Sequence, residues 1–152
     1  MKILQLPTKL AEWHHLVTEA EKRTGFQLDE AVENYVVITL DAFTTNPDLA
    51  STVVAVDFLK NLNIESVRNL EMLRQVGDQC LILSGLFPER VKRKLVSADY
   101  FIQIGKRAYH VLSVTRISWK LDRGLFFQLS ENFITVTDIL QAMRFRSVDI
   151  TH

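Results

Sequence analysis

Few residues in this chain have the type and spacing to do chemistry. Glu12-Trp13-His14-His15 holds one Glu-x-x-His interval, the spacing by which helices of di-iron bundles present ligands. Such a centre needs the interval twice, with two further carboxylates at the same depth, and this chain carries it once. Adjacent histidines also face different sides of a helix, so an ordinary surface pair is the preferred reading. The single cysteine, Cys80, excludes an intramolecular disulfide, and with four histidines it makes no Cys/His zinc set. It lies in an apolar run and reads as a small core residue in a reducing, cytoplasmic setting. Ser84-Gly85 has no nucleophile elbow around it, and no Gly-rich phosphate loop is present. No catalytic residue, metal site or cofactor is assigned, and a non-enzymatic reading is preferred.

The most particular stretch runs from Val76 to Leu112. Gly77, Leu81 and Ser84 share one helical face with Gly85 beside it, and Ala98, Gly105 and Ala108 are arranged similarly further on. Glycine inside a helix costs about 1 kcal/mol relative to alanine, so close approach of two backbones must offset it. Tyr100 and Tyr109 flank this seam, and each hydroxyl needs a partner if buried; Asp78 or Asp99 can supply one. In the alternative reading the glycines clear space for a ligand, with Asp78, Tyr100, Gly105 and Tyr109 lining the pocket. The pattern Gly-Asp, five residues, Ser-Gly-Leu-Phe, then Asp-Tyr-Phe and Gly-Lys-Arg-Ala-Tyr resembles a family of uncharacterised bacterial helical proteins. The resemblance covers about a quarter of the chain. It implies a helical fold and no particular chemistry.

Arg90, Lys92, Arg93 and Lys94 form the one dense basic cluster, a candidate contact for an acidic protein partner or a phosphate. Nucleic-acid binding is disfavoured: the pI is about 6.9, the cluster holds no aromatic residue, and no helix-turn-helix, zinc-finger or RNA-binding signature occurs. The zero net charge divides unevenly. Residues 1–80 carry 7 basic and 12 acidic residues, a net −5, and residues 81–152 carry 11 and 6, a net +5. Two copies could meet acidic half to basic half in a homodimer, with Trp119, Leu125, Phe126 and Phe127 as the apolar patch. The expected function is therefore a non-enzymatic interaction or regulatory module; the alternative is a binder of a small apolar ligand between helices.

These residues must be positioned by helices. A composition of 47% hydrophobic and 24% charged residues is ordinary for a globular chain, and five Gly with three Pro leave little material for the turns of an all-β fold. Thr8 caps a helix over 9–24 that Gly25 closes, with Leu10, Trp13, Leu16, Val17 and Ala20 at helical spacing. A second helix follows Gln27 and is read as central; its period outweighs the strand preference of Val36-Val37-Ile38-Thr39. Asn46-Pro47 starts a third helix, and a fourth runs from Ile64 to Phe87. Ser97 caps another to about Thr115, and Trp119–Arg146 makes one or two helices broken at Gly124. The fold class is all-α, a single domain over 1–152 of about six to seven helices. Met1–Pro7 has no signal-peptide core, and the uncharged stretch Gln79–Pro88 is too short to span a bilayer.

Overall fold

Thr8 begins the first helix as expected. Its Oγ1 accepts a hydrogen bond from the Ala11 amide at 3.0 Å, satisfying one of the donors that a helix start leaves without a partner. Helix α1 spans Lys9–Thr24 and ends at Gly25, whose φ of 79° is the left-handed conformation that glycine adopts without strain. The computed structural model describes residues 8–45, 70–87, 98–115 and 122–151, with the side chains of 98 and 144–151 left aside. Six helices occupy them: α1, α2 (Glu30–Thr45), α3 (Leu70–Leu86), α4 (Ala98–Val114), α5 (Arg123–Glu131) and α6 (Phe133–Thr151). No strand occurs among the described residues, and the protein is an all-α multi-helix bundle. Among those residues no helix is long and apolar enough to cross a membrane.

The β-branched run of α2 is helical because tertiary burial outweighs local preference: Val36, Val37 and Thr39 are buried, while Ile38 turns outward at 60% exposure. The central helix is α3, not α2. Every residue from Val76 to Gly85 is buried, because α4 and α6 both pack on α3. Its glycines permit this. A Cβ at Gly85 would lie 2.6 Å from Leu140 of α6, and one at Gly77 would lie 2.6 Å from the Tyr109 ring of α4. Around that axis α6 packs on α1, α1 on α2, and α4 on α5, which also touches α2. Val17, Val36, Leu81, Phe101, Leu129 and Leu140, one from each helix, belong to one buried cluster.

The last third breaks at Asn132 rather than at Gly124. Gly124 lies in the first turn of α5, behind the cap Asp122, whose Oδ1 accepts from the Leu125 amide at 3.0 Å. Asn132 terminates α5, its amide nitrogen donating to the Gln128 carbonyl at 3.0 Å, and α6 follows at once. The expected helix starts at Asn46-Pro47, Ile64 and Ser97 lie outside the described residues, as do Trp119 and the basic cluster Arg90, Lys92, Arg93 and Lys94.

Candidate functional site

The site grows from the dipeptide Gly77-Asp78 on α3. Without a side chain at Gly77, the ring of Tyr109 from α4 packs closely on α3 there, and its hydroxyl donates to Asp78 Oδ1 at 2.7 Å. Tyr35 of α2 donates to the same oxygen at 2.7 Å. One turn before Asp78, Arg74 donates to its Oδ2 at 3.4 Å, and the guanidinium also binds Glu71, with Nε to Oε2 at 3.1 Å and Nη2 to Oε1. The two tyrosine rings are held by aromatic packing. Tyr35 meets Tyr109 and Phe126 edge-on, with centroids 6.4 and 5.7 Å apart, and Tyr109 stacks on Phe126 at 5.9 Å. Such contacts fix ring orientation, and with it the direction of each hydroxyl.

Burial makes Asp78 unusual. It is 7% exposed, and loss of water pushes its carboxyl up to about 6, against which the two tyrosine hydrogen bonds and the Arg74 charge act. Burial and the adjacent carboxylate push both tyrosine hydroxyls up as well, so they remain donors at any physiological pH. Arg74 is held charged, first by its hydrogen bonds to Glu71, which in turn lower the Glu71 carboxyl.

Asp78 lies at the base of a cleft of about 220 Å³ between α2 and α3. One wall is the apolar face of α2, with Ile38, Ala42 and Phe43; the other is the polar stripe of α3, with Glu71, Arg74 and Gln75. Gln79 also lines it: the residue is 8% exposed, and its Oε1 is buried with no hydrogen-bond partner. Thr39, on the α2 side, donates its hydroxyl to the Tyr35 carbonyl at 2.8 Å. Among the described residues no serine, cysteine or histidine lines the cleft; its Thr39, Tyr35, Glu71 and Asp78 side chains are held in hydrogen bonds.

The four residues expected to line a ligand site separate. Asp78 and Tyr109 come together, Tyr109 beneath the cleft as a wholly buried donor. Gly105 packs against Phe133 of α6 and Cys80 of α3, where a Cβ would lie 2.6 and 2.9 Å from their atoms, so it serves helix contact rather than a cavity. Tyr100 is half-buried on α4 and does not line the cleft; nine residues of helix, roughly 13 Å of rise, separate it from Tyr109. Tyr35, Arg74 and Gln79 were not anticipated. The signal for Arg74 was present, since Glu71, Arg74 and Asp78 recur at intervals of three and four on one helical face. Tyr35 had no such signal, because its position on α2 fits the apolar period.

A second polar cluster joins α1 to α2. His14 Nε2 lies 2.8 Å from Glu33 Oε1, and Glu21 Oε2 accepts from the Leu28 amide at 2.8 Å, ahead of the first turn of α2. Burial, then a hydrogen bond shared with Glu33, pushes the Glu21 carboxyl up to about 7. The adjoining hollow, about 400 Å³, is larger than the α2–α3 cleft, but its His14 and Glu33 are paired with each other, its Lys22 with Glu19 outside it, and Phe26 is its one large apolar side chain among the described residues. Cys80 is buried, and desolvation pushes its thiol up, as befits a core residue. Among the described residues no group of three His, Cys, Asp or Glu could hold a metal ion. No family profile, curated protein or solved structure matches the chain.

Proposed function

We propose that the protein is a non-enzymatic helical binding module that takes a small, partly apolar organic molecule in the α2–α3 cleft. The observation that carries this reading is the opposition of two unlike walls: Ile38, 60% exposed, with Ala42 and Phe43, faces an arginine and a buried carboxylate whose positions are held by hydrogen bonds. Concave, largely apolar sites with a few convergent polar groups and a perturbed carboxyl are where small ligands bind. The expected pocket at the glycine seam thus moves one helix over, to the face of Asp78 that Tyr109 does not cover. Chemical-shift mapping of the isotope-labelled protein with cyclohexyl compounds (amine, alcohol and carboxylate) tests the reading. Shifts should concentrate in 35–43 and 71–79; if no probe moves those amides at millimolar concentration, the cleft is not a binding site.

Self-association is a second reading, supported by Phe127 of α5 and Ile134 of α6, exposed at 51% and 52%. Of the proposed dimer patch, Phe126 is buried in the core, Leu125 is half-buried and Phe127 is exposed, while Trp119 lies outside the described residues. Sedimentation equilibrium separates the outcomes, since a monomer of 17.5 kDa at high micromolar concentration removes this reading.

A further inference from the structure

We infer that the α2–α3 cleft selects organic cations: a protonated amine or amidine on a compact apolar body, its head against Asp78 and Gln79 and its body against Ile38 and Phe43. The inference rests on the binding reading above and adds the chemistry of the ligand head.

Arg74, the one cation in the lining among the described residues, spends three of its five N–H groups on carboxylates, two on Glu71 and one on Asp78. Two carboxylates stand against it, Glu71 and Asp78, so the described residues of the lining carry a net charge of −1 when both are ionised. The Thr39 hydroxyl donates to backbone, and Tyr35 donates to Asp78. Acceptor capacity remains beside the Arg74 donors. Asp78 Oδ2 has only the long 3.4 Å contact from Arg74, and Gln79 Oε1, on a side chain more than nine-tenths buried, has no partner at all. A buried acceptor without a donor is a standing penalty, which a ligand N–H relieves once the Gln79 amide turns its oxygen to the cleft. A carboxylate ligand would meet like charge and bring no donor. A neutral alcohol would supply one donor and no charge. An ammonium group supplies three donors and neutralises the site.

Asp78 also makes recognition dependent on pH. Among the described residues the charged and titratable groups facing it are Glu71 and Arg74 on its own helix, Tyr35 from α2 and Tyr109 from α4. Of these only the carboxylates titrate below neutrality, so acidification through about 6 protonates Asp78 and removes the attraction.

Cyclohexylamine, cyclohexanol and cyclohexanecarboxylate share one apolar body and differ in the head, so their affinities for the whole chain, read by chemical-shift titration at pH 7.5, isolate the head. The amine should bind at least about fivefold tighter than the alcohol, with the carboxylate weakest. Its affinity should fall several-fold at pH 5, where the amine itself stays protonated. Gln79→Met deletes the orphan acceptor without opening a cavity; it should melt no lower than the parent and bind the amine several-fold more weakly. Equal affinity for amine and alcohol, or an unchanged Gln79→Met, overturns the cation assignment while leaving the cleft a binding site. Silence from all three probes overturns the site itself, and the cation assignment with it.

Discussion

Gly77 and Tyr109 occupy one space: a Cβ on the glycine would lie 2.6 Å from the tyrosine Cε1 and 2.8 Å from Cδ1. The absent side chain seats the ring, and the seated ring brings its hydroxyl to Asp78, the next residue along α3. Gly77→Ala therefore sets two effects against each other. Alanine favours the helix by about 1 kcal/mol, whereas overpacking a filled site costs roughly 1–3 kcal/mol. The ring is wholly buried and cannot swing clear, so overpacking should win, and the variant should melt lower.

Gly105→Ala should behave the same way against Phe133 and Cys80. Gly124→Ala should do the opposite. Its Cβ would meet only Asp122 Oδ1 at an ordinary 3.5 Å, in an exposed first turn. A gain of a few tenths to about 1 kcal/mol is expected there. Thermal melts of the three variants side by side check the contrast in sign.

The tyrosines should differ in weight. Tyr109→Phe removes a donor from a buried carboxylate where water cannot reach, and should cost roughly 1–3 kcal/mol in urea denaturation. Tyr35 borders the cleft, where water can take over its hydrogen bond, so Tyr35→Phe should cost less. Either change removes a hydrogen bond that favours the charged form, so each should raise the Asp78 pKa further.

Stability should fall as pH rises from about 4 to about 7, a direction set by two buried carboxyls. Asp78 is raised from 3.8 to about 6 on folding and Glu21 from 4.5 to about 7, so between those values the folded state holds protons that the unfolded chain has released. For Asp78 the loss is on the order of 2–3 kcal/mol, complete above pH 6. Glu71, lowered by Arg74 but largely exposed, works weakly in the other direction. Urea denaturation across pH 4.5–7.5 should show this fall in the parent, less of it in Asp78→Asn and in Glu21→Gln, and least in the double variant.

The helices were legible wherever period and punctuation agreed. Thr8 and Gly25 bound α1 as the capping rules require, and the 3.6 period of α2 prevailed over its β-branched run. Gly124 misled because glycine reads as a breaker, yet Asp122 caps the helix just ahead of it and absorbs the glycine into the first turn. The site was half legible. Gly77, Asp78 and Tyr109 stand out as a costly glycine beside a polar residue with a tyrosine in reach, and that pairing is real. Tyr35 is invisible in sequence because its ring serves the apolar face of α2 while its hydroxyl reaches across to α3. Which helix is most enclosed depends on which neighbours pack on it, and α2 and α3 have similar apolar content.

Carbon-13 detection of the Asp78 carboxyl, titrated with and without saturating cyclohexylamine, tests most directly whether a buried carboxylate lies at the base of a cation-selective cleft. The free protein should titrate near pH 6, and the amine should lower that midpoint by about one unit or more, since a ligand that prefers the ionised form must stabilise it. A free-protein midpoint near 4, or one that the amine leaves unchanged, would contradict the account.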